Sequence, residues 1–175
     1  MTNTKLLLAF ALPAIALLAA VPTIQAFADG NGSTGQSFNT GTMNGYSSSI
    51  PGSAYTPATA SLNGQIITKS DGTSNLSPLS GTITVGDQTG TVQLKPTGAI
   101  TSSSYSDWYC GTTTQNIQLG IAKTIGNGPA VKGIAILEWT TSTNCGNYEV
   151  AQFLTQGNTG SISTVYVAAN HSPLG

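Results

Sequence analysis

The chain has 175 residues, of which five are Lys, none is Arg and six are Asp or Glu, for a net charge of −1. Only 6% of residues are charged, while 39% are apolar. Such a chain lacks the clustered basic residues that counterion release requires, which argues against nucleic acid and against an anionic membrane as partners.

The first elements are not expected to be part of a globular fold. Residues 1–28 carry a single charge, Lys5, then an apolar run from Leu6 to Ala20, then Ala26-Phe27-Ala28. These are the parts of a secretory signal peptide with cleavage expected after Ala28. No second apolar run follows, so no transmembrane anchor is expected after cleavage. The expected location is secreted or at the cell surface.

Residues 29–60 are rich in Gly, Ser and Thr and hold Phe38, Met43, Tyr46, Ile50 and Tyr55 at irregular spacing. This reads as a flexible arm. The alternative is an extended segment that lays those side chains on the domain or on another copy.

From residue 61 the pattern becomes strand-like. "SLNGQIITK" is a short apolar-centred run. "GTITVGDQTGTVQLK" alternates β-branched and polar residues on both sides of a Gly/Asp turn, which predicts a hairpin. "GAITSSS", "QNIQLGIAK", "VKGIAILEWTT", "NYEVAQFL" and "SISTVYVAA" continue the series, separated by polar or glycine-bearing turns. About eight short strands at this spacing predict an all-β antiparallel β-sandwich over 61–175, jelly-roll-like or immunoglobulin-like.

Cys110 and Cys145 are the only cysteines. In an exported chain such a pair is expected to form a disulfide. The absence of C-x-x-C spacing, with one histidine in the chain, argues against zinc or redox chemistry. The bridge draws Trp108 and Tyr109 toward Trp139 and Tyr148. These four aromatics are the candidate binding residues, on a surface suited to glycans; packing in the core is the competing role for either Trp.

The candidate catalytic pair is Glu138 and Glu149. A two-residue turn at Thr143-Asn144 would set Glu138 opposite Glu149 and Trp139 opposite Tyr148. Two carboxylates at that separation suit glycoside hydrolysis. With Asp107 and backbone carbonyls they would instead suit calcium, the one cofactor the sequence suggests. A one-residue change of register would undo both. His171 lies four residues from the last residue given and no G-x-S-x-G occurs, so no Ser-His-Asp arrangement is expected. Asn31, Asn75 and Asn170 begin N-x-[ST] triplets, candidate glycan acceptors.

Taken together, the expected function is an exported, non-catalytic module for adhesion, envelope structure or ligand binding, with glycans or other surface proteins as partners. The alternatives are a small carbohydrate-active hydrolase using Glu138 and Glu149, and a self-assembling surface subunit whose arm adds a strand to the next copy.

Overall fold

The computed structural model describes residues 27–28, 33–50, 55–156 and 162–171. The expected signal segment up to Ala26 and the acceptor Asn31 lie outside the described residues. Every regular element among the described residues is a β-strand, and every pairing is antiparallel. The elements are β1 (Phe27–Ala28), β2 (Thr34–Asn39), β3 (Met43–Ile50), β4 (Thr56–Thr68), β5 (Ser74–Leu76), β6 (Leu79–Val85), β7 (Gln88–Asp107), β8 (Gly111–Ile125), β9 (Lys132–Ser142), β10 (Gly146–Gln156) and β11 (Ile162–His171).

The all-β antiparallel expectation is correct, but the sheet is a closed barrel and not a sandwich. Eight strands form the ring in the order β3, β4, β6, β7, β8, β9, β10, β11, and β11 pairs back to β3. The connections are those of an up-and-down meander, without the long crossovers that a jelly roll or immunoglobulin sandwich needs. The cause is visible in the inward positions. Gly45, Ala58, Ala60, Gly81, Gly120, Ala122, Ala135 and Ala151 lie on the inner face of the ladders. Small residues there let one sheet coil onto itself until its edges meet. At Gly81 the approach is closest: an added Cβ would overlap the carbonyl oxygen of Ser61 on β4.

Alternation supplies the rest of the core. Met43, Leu62, Ile83, Val92, Leu94, Leu137, Phe153, Val165 and Val167 are buried inside, and Thr, Ser and Gln dominate the outer face. An eight-strand barrel is just wide enough for side chains to fill it. Gln118 is a polar residue that also faces inward. It is fully buried, and its Nε2 donates to the carbonyls of Thr97 (3.0 Å) and Leu119 (2.8 Å), beside the bulge that interrupts β7 between Thr97 and Thr101.

The expected flexible arm is corrected over 34–50 and 56–60, where it forms wall strands. β2 and β3 run as one strand along β4, broken by a bulge: Asn39 pairs with Asn63 and Met43 with Ala60. Gly41, at φ 62°, takes the left-handed turn of that bulge. Thr40 fills it, accepting from the Leu62 amide through Oγ1 at 3.0 Å. The irregular spacing of apolar residues in this segment thus reflects a bulged strand. The segment that one alternative offered to another copy pairs within its own sheet here.

Candidate functional site

The two cysteines form the expected disulfide, Cys110–Cys145. It joins two hairpin tips of the same construction. In "DWYCG", Asp107 pairs with Gly111 across the three residues Trp108, Tyr109 and Cys110. In "STNCG", Ser142 pairs with Gly146 across Thr143, Asn144 and Cys145. Gly111 (φ 73°) and Gly146 (φ 78°) close them in the left-handed region, the geometry of a three-residue loop ending in a bulge. Asp107 Oδ1 accepts from the amides of Tyr109 (2.7 Å) and Cys110 (2.8 Å). Those two N–H groups, Cys110 first, hold the Asp107 carboxyl below its usual range. The tips are also hydrogen-bonded to each other, with the Asn144 amide donating to the Cys110 carbonyl at 3.1 Å.

The three-residue loop shifts the β9–β10 register by one residue from that expected. Glu149 pairs with Trp139, and Glu138 pairs with Val150. The two carboxylates therefore point to opposite faces of the barrel wall. Glu149 is buried on the inner face with Trp139, and Glu138 sits on the outer face, accepting from Gln115 Nε2 at 2.7 Å. The paired-carboxylate arrangement for glycoside hydrolysis is not formed, nor is the calcium set that depended on it. Among the described residues no group of three or more His, Cys, Asp or Glu comes together.

The four candidate aromatics are divided as well. Trp139 is a core residue, packed edge-on against Phe38 at 5.2 Å. It lines a cavity of about 440 Å³ at the barrel mouth with Gln36, Ile66, Asn147 and Glu149. Trp108 is 95% exposed at the first hairpin tip, with Tyr109 against it at 5.7 Å. Tyr148 lies on the outer face, opposite Thr140.

Around Tyr148 the outer wall carries a dish of about 280 Å³. Its floor is Thr113, Thr140, Ser142 and Gly146; its sides are Tyr105 and Tyr148; the disulfide and Asp107 close one end. The ladder explains the grouping. Tyr105 on β7 pairs with Thr113 on β8, Thr113 with Ser142 on β9, and Ser142 with Gly146 on β10. Three strand spacings separate β7 from β10, about 14 Å in all. Gly146 adds no side chain to the floor. Thr113 is 3% exposed, and its Oγ1 has no hydrogen-bond partner. A buried hydroxyl without a partner is rare in folded proteins and marks a place where a ligand or water completes the bonding.

Sequence reasoning did not find Thr113, Tyr105 or the continuation of the aromatic row. Tyr148 Oη lies 3.4 Å from Tyr166 Oη. Tyr166 in turn pairs with Tyr46, whose ring lies 5.8 Å away, and Tyr55 meets Tyr46 at 5.0 Å. The hydrogen bond that Tyr166 shares with Tyr148, which is lost if Tyr166 gives up its proton, raises the Tyr166 phenol above its usual value, with burial and the nearby charge of Glu138 adding to the shift. Four tyrosines thus form a track on the outer face leading away from the dish.

No protein-family model matches this chain, and no match was found among curated proteins or solved structures. Asn75, expected on a loop, lies in the short outer strand β5.

Proposed function

We propose that this protein is an exported binding module that takes a neutral, polyhydroxylated ligand, an oligosaccharide, in the dish between Tyr105 and Tyr148. The observation that carries the reading is the unpartnered Thr113 hydroxyl at the floor. The surroundings favour a sugar over other small ligands. The floor offers hydroxyls from Thr140 and Ser142, and the sides offer two aromatic faces for a ring to stack on. No lysine lines the dish, and the Asp107 carboxylate is engaged by loop amides, so nothing there selects a charged ligand. The tyrosine track gives a longer chain further rings to follow. The apolar leader and the disulfide support export, where such ligands are met.

The test is retention on insoluble neutral polysaccharides, followed by titration with soluble fragments. Tyr105→Ala and Tyr148→Ala are each expected to cost about 1 kcal/mol or more in binding. Thr113→Val is expected to weaken it by about two- to tenfold. Retention that survives all three variants would remove the dish from the account.

A further inference from the structure

The four lysines of residues 29–175 are scattered in sequence, at 69, 95, 123 and 132. The barrel collects three of them. Lys123 on β8 pairs directly with Lys132 on β9, and with Gln93 on β7. Lys95 is the diagonal neighbour of Lys123, since it pairs with Ile121. All three are exposed on the outer face. Two like charges directly opposed across a ladder disfavour the sheet. Among the described residues no carboxylate sits beside them on the ladders: the outer positions there are Thr91, Gln93, Ile121, Ile125 and Ile134. The sequence-based argument against a basic cluster is thereby corrected by the fold.

The same patch is apolar between its charges. Leu119, Ile121, Ile125 and Ile134 are each about half exposed, at 51%, 50%, 45% and 53%. Ile121 and Ile134 are a cross-strand pair. Beside them a shallow groove of about 600 Å³ crosses from β6 to β8, with Lys95, Ile121 and Lys123 on its surface. A side wall of a soluble barrel has no packing reason to hold four large aliphatics in water.

We infer that this patch is a docking surface for an anionic lipid bilayer. Lysines interleaved with aliphatics match the interface of such a bilayer, where headgroup charge lies beside hydrocarbon. A second copy meeting the patch through a two-fold axis would set the lysine cluster against itself. A soluble polyanion would satisfy the lysines and leave the aliphatics in water.

The experiment is co-sedimentation of the full chain with phosphatidylcholine vesicles, with and without phosphatidylglycerol, at low and high salt. Wild type and variants are compared side by side, so that any binding by the apolar N-terminal run is common to all. The expected result is a phosphatidylglycerol-dependent partition that weakens with salt. Changing Lys95, Lys123 and Lys132 together to Gln should reduce that partition on the order of a hundredfold. Ile121→Ser with Ile134→Ser should also reduce it. Melting curves of both variants check that the barrel is intact; for any variant whose curve falls, Lys123→Gln alone replaces it. Equal partition to both vesicle types, or partition unchanged in folded variants, would overturn the proposal. So would a dimer on sizing that dissociates in the Ile variant, or heparin binding that the Ile variant leaves unchanged while vesicle binding is absent.

Discussion

Thr113→Val separates the site from the scaffold, because it should improve one and damage the other. The Thr113 hydroxyl is buried without a hydrogen bond. Burial of an unpaired hydroxyl costs about 1–3 kcal/mol. Valine has nearly the same shape, needs no partner and is a good strand residue. The variant should therefore be more stable by about 1 kcal/mol, taking the low end because the dish is open to water at its top. For a barrel of this size that corresponds to a rise in Tm of about 3–4 °C. Urea unfolding measures the first quantity and calorimetry the second, both without ligand. Thr113→Ser is the control, since it keeps the hydroxyl and should keep glycan binding. A stability loss of about 1 kcal/mol in Thr113→Val would refute the reasoning, because it would mean that the hydroxyl already has a structural partner.

Four further outcomes follow from the geometry. Replacing Cys110 and Cys145 together by Ser should cost about 3.8 kcal/mol, the chain-entropy value for a 35-residue separation, read from the urea midpoint. An unchanged midpoint would mean that the hydrogen bonds between the two tips suffice. Gly81→Ala should destabilise by about 1–3 kcal/mol, because its Cβ meets the Ser61 carbonyl and the wall has to shift; a neutral result would show that the wall is not closed there. Asp107→Asn keeps the oxygen that caps the first tip but loses its charge. Because the Asp107 pKa is held below 3.8 in the folded chain, its charged form adds stability above that pH. Wild type should melt higher than the variant at neutral pH, and the gap should close as the pH falls through the folded-state value. Finally, acrylamide should quench one of the two tryptophans freely, since Trp108 is exposed and Trp139 is in the core; a saturating glycan that stacks near the tip should reduce that quenching.

The two outer surfaces share strands. The dish uses Tyr105 of β7, Thr113 of β8 and Ser142 of β9, and the basic-apolar patch uses Lys95, Lys123 and Lys132 of the same three. Along β8, Thr113 and Ile121 are eight residues apart, about 26 Å at the rise of a strand. The disulfide fixes the end with the dish, and the patch lies toward the opposite end.

Alternating residues made the strands and their antiparallel pairing readable in the sequence, and the expectation of export for a two-cysteine chain made the disulfide readable. The barrel was harder, because closure depends on small residues at inward positions, and inward cannot be told from outward until the register is known. The β9–β10 register turned on one residue: Cys-Gly occurs twice, at 110–111 and 145–146, and each glycine ends a three-residue loop. Reading the second as a two-residue turn put Glu138 opposite Glu149, and the catalytic pair followed from that slip. The repeated Cys-Gly was the available signal. For the lysines no local signal exists. Lys95, Lys123 and Lys132 stand 28 and 9 residues apart, and a linear count finds no basic run. A meander turns such separations into neighbours whenever the residues fall at matching heights on successive strands. Charge dispersed along an all-β chain is therefore no guide to charge dispersed over its surface.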